Sequence, residues 1–115
     1  MGGMLIYKIL KPEEWAQLER DGQTQGAPID LADGFIHFST ADQAQATADL
    51  HFSGAHGLVL AAVDTDTLGD ALKWEPSRGG DFFPHLFALL KRGDVVWCEP
   101  MPLVDGRHKM PDTMV

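Results

Sequence analysis

Phe35-Ile36-His37-Phe38-Ser39, running into Thr40-Ala41-Asp42-Gln43, is the stretch whose reading decides the fold. Side chains along a strand alternate between faces, so Ile36 and Phe38 go one way while Phe35, His37 and Ser39 go the other. With Ile36 and Phe38 in the core, His37 and Ser39 stand side by side on the opposite face. Thr40 and Gln43 fit a capping box that opens an Ala-rich helix from Ala41 to about Leu50. That helix packs through Ala44, Ala48 and Phe52, whose small members permit close approach to a sheet.

Upstream, Leu5 to Leu10 is a short apolar run broken by Lys8 and reads as the first strand. Pro12, Glu13 and Glu14 read as the first turn of a helix, with Trp15 and Leu18 on one face and Gly22 as the stop. Gln23 to Asp33 reads as a loop, with Gly26 and Pro28 as breakers. Downstream, Leu58 to Val63 is apolar on both faces, as a short central strand is, and Asp64-Thr65-Asp66 ends it with turn chemistry. Ala71 to Glu75 reads as a strand with Leu72 and Trp74 inward and Lys73 and Glu75 opposite. Pro76 to Asp81 is the clearest mobile loop, and Pro84 gives the following Phe82 to Phe87 an extended entry. Val95 to Glu99 closes the sheet, leaving an irregular tail. Strands and helices are interspersed without a strict βαβ rhythm, which favours α+β.

The 115 residues suit one domain, expected over residues 4–115, with residues 1–3 a non-structural extension before Met4. An apolar share of 44% and a charged share of 23% are those of a globular chain. The net charge of −8 disfavours duplex nucleic acid and anionic membranes, both of which need a cationic surface. Cys98 is the single cysteine, so no intramolecular disulfide forms, and its apolar neighbours Val95-Val96-Trp97 give an inert thiol. No run approaches the roughly 20 apolar residues of a membrane span. The start has neither a secretory signal nor a myristoylation pattern. The expected location is the cytoplasm.

The candidate site residues are few. His37 and Ser39 reach one ligand from one strand face, but without Gly-x-Ser-x-Gly they do not read as a nucleophilic dyad. Glu75, between Trp74 and Pro76, is a candidate general acid or base, the alternative being an exposed carboxylate paired with Lys73 or Arg78. Arg78-Gly79-Gly80 offers a guanidinium and backbone amides to an anion. His37, Glu75 and His85 could hold a catalytic metal if the fold gathers them, although none of their spacings is a metal signature. His51, His56 and His108 fall at a helix end, a loop and a tail, and read as solvated.

The ordered set Tyr7-Lys8-Ile9, Asp30-x-x-Asp33-Gly34-Phe35-Ile36-His37-x-Ser39-Thr40, Gln43, His51-Phe52, Leu72-x-Trp74-Glu75 and Phe83-Pro84-His85-Leu86 resembles a small bacterial family, domain of unknown function 952. More remotely, His37-Phe38-Ser39, the Ala-rich helix and Leu58 to Asp64 resemble the ADP-ribosyltransferase-like fold, including the RNA 2′-phosphotransferases. That resemblance implies a split, mainly antiparallel sheet with two helices and a cleft for a small nucleotide or ADP-ribose-like ligand. By that resemblance Ser39 sits in the nicotinamide-side wall and Glu75 approaches the ribose. The site expected from the residues takes Ser39, Thr40, Trp74 and Arg78 as ligand contacts and Glu75, His37 and His85 as the chemical groups. The transferases carry a His or Arg at the end of the first strand, where this chain has Tyr7-Lys8-Ile9-Leu10. That departure favours a binder over a transferase, and a metal-assisted hydrolase using His37, Glu75 and His85 is the further alternative. No cofactor is specified.

Overall fold

The computed structural model describes residues 3–114, the Arg78 side chain excepted. Met1 and Gly2, part of the expected extension, lie outside the described residues, whereas the Gly3 amide donates to Asp66 at 2.7 Å. The chain runs β1 (Leu5–Leu10), α1 (Pro12–Asp21), β2 (Gln23–Thr24), α2 (Pro28–Asp33), β3 (Ile36–His37), α3 (Ala41–His51) and β4 (Val59–Asp64). It continues through α4 (Thr65–Leu68), β5 (Leu72–Pro76), β6 (Phe82–Leu86), β7 (Leu90–Lys91), β8 (Val95–Pro100), β9 (Leu103–Val104) and β10 (Arg107–His108). The architecture is α+β, and the strand pairs are antiparallel.

One three-stranded sheet has the order β1-β4-β8. Its centre, β4, is the strand whose sequence is apolar on both sides, and the alternation explains why. Ala61 and Val63 enter one core cluster with Ile6, Leu10 and Phe38, while Leu60 and Ala62 enter a second with Tyr7, Ile9 and Ala48. A second three-stranded sheet has the order β3-β6-β5, and β2 with β7 and β9 with β10 form two-stranded sheets. Two backbone bonds staple the three-stranded sheets together: Tyr7 N–H to Ser39 O at 2.8 Å and Ser39 N–H to Tyr7 O at 2.9 Å. The expected strand from Phe35 to Ser39 is thus divided. It pairs with β6 as far as the bond from Phe38 N–H to Pro84 O, then passes to β1 at Ser39.

Ile36 and Phe38 are buried in the core, as alternation requires. Thr40 precedes α3, and the Gln43 side chain accepts from the Thr40 amide at 3.0 Å, completing the expected cap. Ala44 and Ala48 are buried on the inward face of that helix.

Four expectations change. The segment read as a loop from Gln23 to Asp33 contains α2: Pro28 fills the first helical position, where a missing N–H costs nothing, and Gly34 ends the helix at φ 84°. Trp74 is not core; it is 40% exposed, because β5 is an edge strand with little packed over it. The tail is not irregular, since Asp105 (φ 53°) and Gly106 (φ 80°) make the tight turn between β9 and β10. His108 is not solvated: this hairpin buries it against α3, with Nε2 2.7 Å from the Phe52 carbonyl.

Phe38→Ala is expected to cost about 3–5 kcal/mol, as buried aromatic truncations do, and Trp74→Ala less than about 1 kcal/mol. Chemical denaturation measures both, and equal costs would contradict the assignment of strand faces.

Candidate functional site

His37 and His85 are direct cross-strand partners in the β3–β6 ladder, and Lys73 faces His85 from the other side. Glu75 lies two residues along β5 from Lys73, so it is the diagonal neighbour of His85 on the same face. This geometry brings the Glu75 Oε1 within 2.7 Å of His85 Nδ1. Phe35, two residues before His37, shares the face and stacks on the His85 ring at 4.1 Å between centroids. The two imidazoles meet edge to face with centroids 5.4 Å apart.

His37 is held from below by a carboxylate that the sequence reading did not single out. Asp30, on α2, is 1% exposed and accepts four bonds or contacts. The Lys8 ammonium lies at 2.8 Å, the His37 ring Nδ1 at 2.6 Å, the His37 amide at 3.0 Å and the Ala27 amide at 2.7 Å. The other ring nitrogen, Nε2, lies 2.9 Å from Asp33 Oδ2. Asp30 and Asp33 are three apart on one short helix, so both carboxylates reach the same ring. A buried Lys without a partner would be prohibitively costly, and Asp30 is that partner. Gly26 completes the arrangement. A Cβ there would strike the Asp30 carboxylate, and its φ of 102° also favours glycine.

Burial works to raise the Asp30 carboxyl, but the hydrogen bond from His37 and the charge and bond of Lys8 outweigh it. The result is a fall from 3.8 to about 2. Cys98 behaves as expected of an apolar setting, with burial pushing its thiol up to about 11.

Between the sheets lies a cavity of about 740 Å³. His37, Ser39 and His85 all border it, together with Tyr7, Lys8, Asp33 and the apolar side chains Ile9, Pro28, Phe52 and Phe83. Lys11, Glu14 and His51 stand along it as well. The Ser39 hydroxyl is 3.0 Å from the Thr47 hydroxyl, which itself donates to the Gln43 carbonyl at 3.1 Å. Thr40, Trp74 and Glu75 are not among the residues that border the cavity. Thr40 serves the cap of α3, Trp74 projects from the opposite face of β5, and Glu75 reaches the cavity only through His85. The Arg78 side chain lies outside the described residues. His37, Glu75 and His85 do not present three ligands to one ion. Each His points Nδ1 at a carboxylate, and among the described residues no group of three His, Cys, Asp or Glu is disposed to hold a metal.

Asp30 and Lys8 entered the sequence reading only as members of the family-like set, without a site role, because each signal is weak alone. A lone Lys within an apolar strand predicts a buried counter-charge, and Asp two residues after Pro28 predicts a helix start; together they could have been matched.

A chain with two stapled antiparallel sheets and a histidine-bearing cavity between them defines a class of small α+β domain. The chain belongs to the family described as Protein of unknown function (DUF952), whose pattern matches residues 9–98. It is similar to protein CC0527 from Caulobacter crescentus, whose crystal structure superposes with a TM-score of 0.92 at 46% identity, covering 96% of this chain and 98% of that one. A crystal structure of a double mutant of that protein gives 0.91 at 45% identity, again covering 96% and 98%. Its solution structure gives 0.81 at 46% identity, covering 90% of each chain. Comparison with curated proteins finds no match.

Folding favours ionised Asp30, so its contribution is full above the unfolded value of 3.8 and is lost as pH falls through about 2. The difference amounts to about 2 kcal/mol near neutrality. Stability measured by denaturation should therefore fall between about pH 4 and pH 2, and the slope should flatten in Asp30→Asn. Asp30→Ala, which strands buried Lys8, should cost about 3–5 kcal/mol.

Proposed function

We propose that the cavity is a binding site for a small nucleotide or ADP-ribose-like ligand, and that the protein consumes NAD slowly or not at all. The observation that carries this reading is the meeting of His37, Ser39 and His85 on one cavity of about 740 Å³. A space of that size with apolar walls and a few convergent polar groups is the usual form of a small-molecule site. Phe52 and Phe83 supply apolar surface for a base, and the His37, Ser39 and His85 side chains supply polar contacts for a ribose. Lys11 is exposed along the cavity and forms no ion pair among the described residues, which suits it to a phosphate. Short charge-assisted bonds of this kind outweigh the screened field of a chain at −8.

The split pair of sheets, whose backbone ladders meet at Tyr7 and Ser39, supports the likeness to the ADP-ribosyltransferase-like fold. Turnover of NAD is not favoured. The first strand lacks the His or Arg that the transferases carry at its end, and its one cation, Lys8, is paired with Asp30. Departure of nicotinamide needs an oriented ribose, and a lost positioning contact costs about a hundredfold in rate. No helix among the described residues is long and apolar enough to cross a membrane.

Calorimetric titration with NAD, ADP-ribose and AMP is expected to show weak binding of at least one, reduced about tenfold in Lys11→Glu. Absence of heat with all three at millimolar concentration would refute the binding reading. Rapid nicotinamide release that disappears in Glu75→Gln would refute the other half.

A further inference from the structure

The two cavity histidines are held in different hydrogen-bonding states, and the difference has a chemical use. His85 keeps one nitrogen for the protein and one for the cavity. Its Nδ1 lies 2.7 Å from Glu75 Oε1, and an ionised carboxylate can only accept, so Nδ1 carries the hydrogen and Nε2 presents a lone pair. Among the described residues nothing hydrogen-bonds to that Nε2. The only fully buried side-chain nitrogen or oxygen left without a partner there is Nδ1 of His108, so Nε2 of His85 keeps accessible surface. His85 is itself 4% exposed and borders the cavity. Phe35 stacked on one face and Glu75 at one edge fix the ring.

His37 is the complement. Nδ1 at 2.6 Å from Asp30 and Nε2 at 2.9 Å from Asp33 are both hydrogen bonds only when both nitrogens carry hydrogen. The Asp30 side is buried and locked by Lys8. The Asp33 side is not: its side chain is 43% exposed and borders the cavity, so a ligand oxygen can take its place on Nε2–H. If the network only braced the sheet, His85 Nε2 would be expected to have a partner too.

We propose that His85 and His37 are an acid–base couple acting on the phosphate ester of a ribonucleotide, a substrate class that rests on the nucleotide reading above. A proton acceptor and a proton donor on rings 5.4 Å apart can flank one tetrahedral centre, with the entering oxygen beside one and the departing oxygen beside the other. Water loses a proton to Nε2 of His85, and its oxygen forms a bond to phosphorus. The P–O bond to the ribose oxygen breaks, and that oxygen takes the Nε2 proton of His37. The ester is hydrolysed to a monoester, and the two rings exchange their extra proton through solvent. Glu75 is then a positioning residue that fixes the tautomer of His85, and Asp30 does the same for His37. Lys8 offsets the Asp30 charge, and Lys73 faces His85 from β5.

The test uses the full chain near neutral pH. Nitrogen NMR of the imidazoles should show His85 with hydrogen on Nδ1 alone and His37 with hydrogen on both nitrogens. With 2′,3′-cyclic AMP as probe, phosphorus NMR should show ring opening to one monophosphate. His85→Gln should slow it by about a hundredfold or more. Glu75→Gln, at a side chain 42% exposed, should lower kcat with KM little changed and should shift His85 toward the other tautomer. Hydrogen on Nε2 of His85 in the wild type, no ring opening, or ring opening undiminished in both variants would each overturn the couple. Heat on titration with AMP without ring opening overturns the couple alone and leaves the pocket standing.

Discussion

The ion pair between Lys8 and Asp30 is the constraint on which the rest of the site depends. Lys8 comes from the first strand of one sheet and Asp30 from the short helix that leads into the other. Neither charge tolerates burial alone, and together they fix the distance between β1 and α2. Because the same carboxylate also holds the amide and the ring of His37, the pair sets where β3 begins and which way its histidine points.

From that anchor the cavity follows. The chain leaves α2 through Gly34, pairs briefly with β6, and crosses to β1 at Ser39. One short connection therefore carries His37 on the second sheet and Ser39 on the first. Residues of both sheets border the cavity, Tyr7, Lys8 and Ile9 from β1 and His37, Phe83 and His85 from β3 and β6. Its polar groups belong to elements held by backbone ladders or by buried charge, so little must be ordered when a ligand enters.

The two carboxylate–histidine contacts are alike in length, 2.6 and 2.7 Å, but differ in what they leave over. Glu75 satisfies one nitrogen of His85 and leaves the other open, whereas Asp30 and Asp33 together occupy both nitrogens of His37. That asymmetry arises from topology. β5 is an edge strand that can deliver one diagonal neighbour to His85, while α2 presents two residues, three apart, to His37.

Local patterns in the sequence determined a good deal. The alternation of Phe35 to Ser39 put Ile36 and Phe38 in the core, Thr40 and Gln43 marked the start of α3, and the two-sided apolar run became the central β4. These are readable because alternation, capping and burial depend on neighbours within a few residues. The helix at Pro28 and the Asp105-Gly106 turn carried local signals as well, but ones that only docking made decisive. What only the tertiary structure decided is which distant groups meet: Lys8 with Asp30, Glu75 with His85, Ser39 with Tyr7, and Trp74 with solvent. A charge in an apolar strand demands a partner without saying which one, and a strand does not reveal whether it lies at the centre or edge of its sheet. Those choices are made when the two sheets pack, because only then do burial and charge compensation act on residues remote in the chain.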